Sequence, residues 1–154
     1  MQIEIVQLAE RPELLEIVAG WMYYEWWIDI DGASLGKQTD LLHVHLVADR
    51  VPLTLVASSD CHPVGTATLL AHDVGTEQWP ELSPWLAAVY VVPEYRCRGV
   101  GGALVNAAVD KAAALGVPSL YLLTNSREGF YTRQGWQVMH RNGEEVVMLK
   151  ANSS

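Results

Sequence analysis

The spacing of apolar residues changes several times along the chain, and each change separates a predicted strand from a predicted helix. Alternating apolar and polar residues predict a first strand at residues 2–8. Apolar residues three and four positions apart predict helices at residues 11–26 and 35–47. The remaining runs predict strands at 52–58, 64–71 and 87–92, a helix at 102–115, a strand at 119–123, a short helix at 125–133, and strands at 136–140 and 145–150. The predicted order is β-α-α-β-β-β-α-β-α-β-β, in a single domain over residues 1–154.

Capping residues support several of these boundaries. Ser34 is a candidate N-cap of the second helix, and Gly116 is placed to close the third helix. His43 and His45 are interpreted as ordinary residues of the second helix. Residues two positions apart on a helix lie about 200° apart around its axis, so these two histidines cannot share a metal. No metal site is therefore predicted.

The first helix carries a concentration of aromatic residues between positions 21 and 27. For Trp21 and Trp26 we favour packing against the sheet. Tyr24 and Trp27 have two interpretations: the same packing, or a partly exposed aromatic wall over a substrate pocket.

Length and hydropathy limit the class of protein. The chain has 154 residues, of which 50% are hydrophobic, and this is enough for the core of one domain. No apolar run reaches the roughly 18 to 20 residues that span a bilayer, and residues 1–4 do not begin a signal peptide. A cytoplasmic protein without a membrane partner is therefore expected. Cys61 and Cys97 have no metal-type spacing and require no disulfide.

The chain is acidic, with a formal net charge of −8 and an isoelectric point near 5.0. This charge argues against a nucleic-acid partner, which would require a basic face. It suits a cationic or amine-bearing substrate, although solubility alone explains it equally well. The few basic residues are unevenly spread, and Arg96 and Arg98 flank a glycine-rich turn.

That turn lies between the apolar run at 87–92 and the helix predicted at 102–115. The run stops at Pro93, and a polar turn leads to Gly99-Val100-Gly101-Gly102. Such a turn can leave successive backbone N–H groups pointing into one hollow at a helix N-terminus, where unpaired donors and the helix dipole bind phosphate. Glycines let the phosphate approach the backbone.

Among phosphate-binding motifs, only one fits this stretch. The lysine-containing P-loop pattern is absent, and the dinucleotide pattern G-x-G-x-x-G fails because Leu104 occupies the third glycine position. The segment Arg96-x-x-Gly99-x-Gly101 resembles the pyrophosphate-binding signature of the GNAT superfamily of acyl-CoA-dependent N-acyltransferases. Residues 129–136 resemble the F-Y-x-x-x-G-F/W element of the same family. The resemblance is specific over roughly residues 64–150.

The resemblance implies the GNAT fold, of the α/β (α+β) class: a central mixed, mostly antiparallel sheet, flanked by helices and splayed at the cofactor site. It implies acetyl-CoA as the cofactor, with its pantetheine arm added to an open strand edge and its pyrophosphate on the glycine turn. The implied cofactor-binding residues are Val89, Tyr90, Val91, Arg96, Cys97, Arg98, Gly99, Val100, Gly101, Gly102, Ala103, Asn125 and Tyr131. Asn125 is equally well interpreted as a helix N-cap, and Cys97 as a small residue that fits the turn.

The resemblance also implies catalytic groups. Tyr131 occupies the position at which the family usually places the acid that protonates the departing thiolate. The family's glutamate on the central strand is missing, because residues 85–88 read Trp-Leu-Ala-Ala. Asp73 and Glu81 are the nearest carboxylates and the candidate bases, and His72 is a third option; a solvated loop position is the alternative for each, with water as the proton acceptor.

The implied function is transfer of an acetyl group from acetyl-CoA to a primary amine acceptor, such as a small amine, a polyamine or a peptide or protein amino group. The alternative is a non-catalytic acyl-CoA-binding regulatory module with the same fold. The oligomeric state is open, with a homodimer as one option.

Overall fold

The computed structural model describes residues 2–47 and 49–152. The strands are β1 Ile3–Gln7, β2 Leu53–Ser59, β3 His62–Leu70, β4 Trp85–Val91, β5 Ser119–Thr124, β6 Gln137–Asn142 and β7 Glu145–Ala151. The helices are α1 Leu15–Met22, α2 Leu35–His43, α3 Val100–Ala114 and α4 Glu128–Arg133, and a π-helical turn, Tyr23–Trp27, continues α1. The predicted order of strands and helices is confirmed.

The seven strands form one sheet in the order β1-β2-β3-β4-β5-β7-β6. Every neighbouring pair is antiparallel except β4 and β5, which are parallel. In the described part of the chain, β4 and β5 are in register only where Trp85 meets Tyr121. Beyond that pair the two strands diverge, so the expected mixed, mostly antiparallel sheet with a splayed centre is confirmed.

An extra residue bends β4 just after the strands part. Thr68 of β3 pairs with Ala87, whereas Thr66 pairs with Tyr90, so two residues of β4 oppose one residue of β3. Ala88 takes up the excess in a left-handed conformation, with φ of 53°. The result is a β-bulge that re-aims the strand.

Helices cover both faces of the sheet. On one face, α3 packs through Leu104, Val105 and Ala108 onto the apolar side chains of β2, β3, β5 and β7. On the other face, α1 and α2 cover Val56 of β2 and Ala88 of β4. Burial of these apolar surfaces supplies the main driving force for folding.

The loop from residue 71 to residue 84 contributes apolar side chains to the core. Leu82 is buried with Trp85 and Val147, and Trp79 packs against this cluster. The Trp79 ring also stacks on His140, with ring centroids 5.9 Å apart. The loop therefore forms a small core on the sheet face opposite α3.

The interpretation of His45 as a helix residue is wrong, because α2 ends at His43. His45 lies in the following turn and is buried, with Nδ1 2.8 Å from Oγ1 of Thr54. That hydroxyl is 2.9 Å from Oγ1 of Thr68. Burial lowers the pKa of His45 to about 4. Ser34 caps α2 as expected, accepting a hydrogen bond from the Lys37 N–H.

None of the helices formed by residues 2–47 and 49–152 is both long enough and apolar enough to cross a bilayer.

Candidate active site

The glycine turn between β4 and α3 has the backbone conformation of an anion-binding hollow. Cys97 and Gly99 both lie in the left-handed region, with φ of 62° and 84°. Alternation of left-handed and ordinary conformations turns successive N–H groups toward one side. The first helical bond runs from the Ala103 N–H to the Gly99 carbonyl. The N–H groups of the first turn of α3 therefore lie ahead of the helical ladder, where they are free to bind an anion.

Two arginines frame the hollow, and both are exposed. Arg96 donates from Nε to the Val91 carbonyl at 2.8 Å, and its guanidinium lies 5.5 Å from the Tyr90 ring. The Arg98 guanidinium lies 5.4 Å from the Tyr95 ring. Packing against these rings limits the freedom of two long side chains. Positive charge is thus held beside the N-terminus of α3.

The splay leaves one edge of β4 open between the bulge and the glycine turn. On the β3 side, Tyr90 pairs with Thr66 and Val91 with Gly65. The other side faces the space that opens between β4 and β5 beyond Trp85. Val89 to Val91 therefore lie at this edge. The Val91 carbonyl accepts the hydrogen bond from Arg96, and the remaining backbone groups of the edge are suited to pair with an extended ligand.

Tyr131 lies in α4 with its ring in the main core. It is 9% exposed and packs edge-on against Phe130 and Trp136, at centroid distances of 5.0 and 6.0 Å. Burial raises the pKa of its hydroxyl to about 12, and the nearby charge of Arg127 opposes the rise only in part. Tyr131 therefore keeps its proton throughout the neutral range and can act as a hydrogen-bond donor.

The two candidate carboxylates differ in their surroundings. Asp73 is half-buried, and burial raises its pKa above the ordinary value, although a hydrogen bond from the Val74 N–H opposes the rise. Glu81 is exposed. The turn that Asp73 opens also contains Gly75, which approaches Leu123 of β5 so closely that a Cβ there would lie 3.3 Å from it. That contact places the Asp73 turn beside the part of β5 that follows Tyr121, the residue at which β5 pairs with β4.

The N-cap alternative for Asn125 is wrong. The hydroxyl of Thr124 instead accepts hydrogen bonds from the N–H groups of Ser126 and Arg127, at 3.5 and 3.1 Å. Asn125 itself is exposed at the end of β5. Its side chain is therefore free of a capping role and lies next to the opening between β4 and β5.

Sequence reasoning missed the side chain of Tyr90, for which it proposed only backbone contacts. The Tyr90 ring lies on the sheet face opposite α3, 5.7 Å from the Trp21 ring and 6.3 Å from the Trp26 ring. Trp21 is half-buried as expected, but the expected packing of Trp26 is wrong, because its side chain is 41% exposed; Trp27, for which two interpretations were open, is half-buried. The signal that could have located Tyr90 is strand alternation, but the bulge shifts that alternation by one residue.

Together these elements put an anion hollow beside an open strand edge, at the point where β4 and β5 part. The aromatic rings of Trp21, Trp26 and Tyr90 lie on the sheet face opposite α3. Such a site can hold an extended anionic ligand along β4 and bring a second molecule to it from the face covered by α1.

Comparisons with a family model and with solved structures point to the same protein family. The model of the Acetyltransferase (GNAT) family matches residues 16–136. No curated protein sequence matches the chain. Among solved structures, a GNAT-family acetyltransferase from Streptococcus pneumoniae is 18% identical, with a TM-score of 0.69 over 99% of this chain and 100% of that one.

Two further similar structures contain coenzyme A. The PaiA N-acetyltransferase from Thermoplasma acidophilum is 20% identical, with a TM-score of 0.67 over 99% of this chain and 100% of that one. An aminoglycoside 6'-N-acetyltransferase is 14% identical, with a TM-score of 0.71 over 98% and 97%. At these identities the structures show a shared fold.

Proposed function

The chain belongs to the GNAT acetyltransferase family, and we propose that it transfers an acetyl group from acetyl-CoA to a primary amine by direct attack of the amine on the thioester. The observation that carries the proposal is the divergence of β4 from β5 at a bulge, directly before the glycine turn. An extended acyl donor bound there presents its reactive end at the bulge and its anionic end at the helix N-terminus.

The chain's own residues fit the phosphate-bearing donor. The N–H groups of residues 99–102, with Cys97, Arg96 and Arg98 beside them, would hold the pyrophosphate. Ala103 follows these residues, and its small side chain adds no bulk beside the pyrophosphate. The backbone of Val89 to Val91 would pair with the pantetheine arm, and the exposed Asn125 would contact that arm from β5. A backbone N–H near the bulge would polarise the thioester carbonyl, as an oxyanion donor does.

Tyr131 is the proposed partner of the leaving sulfur. Its pKa of about 12 exceeds that of a free thiol, about 8.5, so full proton transfer from tyrosine to thiolate is uphill in this environment. A hydrogen bond from the hydroxyl stabilises the developing thiolate without that cost. We therefore assign Tyr131 as a donor to the thiolate, with solvent completing protonation.

Asp73 is the proposed base. An attacking amine must lose a proton, and a half-buried carboxylate with a raised pKa accepts protons better than an exposed one. The contact between Gly75 and Leu123 supports a position near the opening. Glu81 is exposed, so it is the second candidate for the base.

One observation favours the alternative of a non-catalytic acyl-CoA-binding module. Residues 85–88 read Trp-Leu-Ala-Ala on the strand where many family members carry a glutamate, and none of these side chains can act as a base. The two proposals differ in turnover but share the donor site.

The donor site is tested by substituting Gly101. A Cβ at this position would lie 3.7 Å from Phe130 and 3.8 Å from Val91, which is ordinary contact, so the fold should accept a side chain. We expect wild-type protein to bind CoA with a Kd near micromolar, on the order of −8 kcal/mol. Gly101→Gln should weaken binding through bulk, and Gly101→Glu further, by about a hundredfold or more, through charge. Calorimetry measures both.

Asn106→Glu is the matched control, because Asn106 is exposed further along the same helix. Equal CoA affinity in Gly101→Glu and Asn106→Glu would contradict the site. Release of free thiol, measured over a panel of amines, then separates the proposals: amine-dependent release supports the transferase, and CoA binding without it supports the binding module.

A further inference from the structure

Helix α4, which carries Tyr131, is too short to be stable by itself. It has six residues, Glu128–Arg133, whereas isolated helices shorter than roughly 12 to 15 residues are marginal in water. The position of α4 must therefore be fixed by contacts with other elements. A basic side chain contacts each end of the helix, and both of these side chains come from the hairpin of β6 and β7.

Arg141 of β6 binds the first residue of α4. Its guanidinium donates to both carboxylate oxygens of Glu128, from Nη1 to Oε1 at 2.9 Å and from Nη2 to Oε2 at 2.7 Å. These hydrogen bonds lower the pKa of the Glu128 carboxyl below its ordinary value, so the pair is ionised throughout the neutral range. An exposed ion pair adds little to overall stability, but a bidentate pair fixes the orientation of its two partners. The pair therefore restrains the start of α4 against β6.

Lys150 of β7 binds the other end of α4. Its side chain is half-buried, and Nζ donates to the Gln134 carbonyl at 3.1 Å. That carbonyl is among those that the last turn of a helix leaves without an internal partner, and a cation there also meets the negative end of the helix dipole. Gly135 follows with φ of 92°, and a Cβ on it would overlap Nζ. The chain therefore leaves room for the lysine where it meets the helix.

The turn after α4 also fixes Tyr131. The N–H groups of Gln134 and Trp136 both donate to the Tyr131 carbonyl at 3.0 Å, and the Gly135 N–H donates to the Thr132 carbonyl. This pattern is a Schellman motif, and the packing of the Trp136 ring on the Tyr131 ring is its usual apolar contact. The backbone and the ring of Tyr131 are therefore both held by the turn to which the lysine is bonded.

We propose that Lys150 and Arg141 are positioning residues of the transfer reaction, which hold the two ends of α4 and so fix the Tyr131 hydroxyl against the leaving sulfur of the donor. The inference rests on the proposed transferase function and adds two residues that act through a helix. Without either contact α4 is free to tilt, and the hydroxyl moves with it. Misplacement of a reacting group by about 1 Å can cost on the order of a hundredfold in rate.

A double-mutant cycle tests the proposal. Lys150→Met and Arg141→Met are each made in the wild type and in Tyr131→Phe. We expect each substitution to lower kcat of the wild type about three- to tenfold, with little change in the KM for acetyl-CoA. In Tyr131→Phe the same substitutions should lower kcat less than about twofold, because the hydroxyl that they position is already absent. A general loss of stability would instead lower kcat by the same factor in both backgrounds.

Lys111→Met and Arg11→Met are the matched controls. Each removes a base of the same type from an ion pair outside α4, and each should leave kcat close to wild type. Arg141→Lys keeps the charge but loses the bidentate geometry, so its kcat should lie between those of Arg141→Met and the wild type. Far-ultraviolet circular dichroism checks the fold of every variant. If Lys150→Met does not fold, the cycle with the exposed Arg141 decides.

The thiol pKa of bound CoA separates this inference from the transferase proposal, because its measurement requires no turnover. A hydroxyl that donates to the thiolate lowers the pKa of the thiol, and the ultraviolet absorbance of the thiolate follows the titration. We expect this pKa to be lower in the wild-type complex than in the Tyr131→Phe complex. Lys150→Met and Arg141→Met should raise it toward the Tyr131→Phe value, and they should not change it in the Tyr131→Phe background.

The two measurements give distinct outcomes. This pattern of thiol pKa values, in a protein that releases no thiol with any amine, supports the positioning role and contradicts the transferase. Amine-dependent turnover that neither substitution changes, or that both lower equally in the two backgrounds, overturns the positioning role and keeps the transferase. A wild-type kcat in Tyr131→Phe does the same. Absence of both turnover and the thiol pKa pattern overturns both proposals.

Discussion

At the scale of single residues, surroundings distinguish side chains of the same type. Asp73 and Glu81 both lie in the loop between β3 and β4, but one is half-buried and the other exposed. Burial raises the pKa of Asp73, and its backbone carbonyl also accepts a hydrogen bond from the Thr76 hydroxyl at 2.6 Å. A carboxylate fixed in an ordered turn with raised basicity is the better candidate for proton transfer.

Asp73→Asn is expected to lower kcat/KM for the amine by roughly ten- to a hundredfold, because one general-base contribution is lost. It should also raise stability at neutral pH. Since the folded pKa of Asp73 lies above its unfolded value, this group favours folding most at low pH, and that contribution is lost as pH rises through the folded pKa. Steady-state kinetics and urea denaturation test the two effects.

Glu81→Gln is the matched control for Asp73 and should leave both activity and stability close to wild type. If Glu81→Gln lowers kcat/KM and Asp73→Asn does not, the two assignments are reversed. If neither substitution lowers kcat/KM, water accepts the proton.

Tyr131→Phe is expected to keep the fold and the CoA affinity, because the ring still packs between Phe130 and Trp136. Loss of the hydroxyl should lower kcat by roughly ten- to a thousandfold with little change in acceptor KM. Tyr121→Phe is the control, since Tyr121 packs on Trp85 where β4 and β5 are still paired. A wild-type kcat in Tyr131→Phe with normal CoA binding would make Tyr131 a packing residue.

At the scale of secondary-structure elements, the site depends on how closely α3 approaches β3 and β4. A Cβ on Gly65 of β3 would lie 2.9 Å from both the Leu104 side chain and the Tyr90 carbonyl. The missing side chain therefore lets α3 lie against the sheet next to the bulge. The other end of α3 closes in a Schellman motif, with Gly116 N–H bonded to Ala113 and Val117 N–H to Ala112.

Gly65→Ala is expected to destabilise the protein by about 1–3 kcal/mol, the usual cost of overpacking. The control is Gly20→Ala in α1, where a Cβ would meet nothing within 4 Å. That change should stabilise by about 0.5–1 kcal/mol, since alanine is the better helix former. Midpoints of urea denaturation compare the two variants, and a neutral Gly65→Ala would contradict the close approach of α3.

At the scale of the whole molecule, a row of hydrogen-bonded polar side chains connects the layer of α1 and α2 to the sheet. His45 follows α2, Thr54 lies on β2 and Thr68 on β3, and their side chains form consecutive hydrogen bonds. All three side chains are buried. A buried imidazole is stable only while neutral, so the packing of the two layers depends on the protonation of one group.

Acid stability should therefore depend on His45. Its folded pKa, about 4, is below its ordinary value of 6.5. Its contribution is complete above pH 6.5 and is lost as pH falls through 4, by up to about 3 kcal/mol. His45→Gln should flatten the fall in unfolding free energy over this window, whereas the exposed His43→Gln should not. Parallel curves for all three proteins would contradict the role of His45.

The sequence by itself determined the order of strands and helices, the capping of α2 at Ser34 and the glycine turn before α3. It also carried the resemblance on which the fold was predicted. These features depend on side-chain period and on the φ preferences of neighbouring residues, and both are local properties of a chain.

Only the tertiary structure decided the burial of His45, the proximity of the Asp73 turn to β5, and the meeting of Trp21 with Tyr90. Each depends on contacts between residues far apart in sequence. The bulge at Ala88 decided the last of these, because one extra residue in β4 reverses the face on which every later side chain lies.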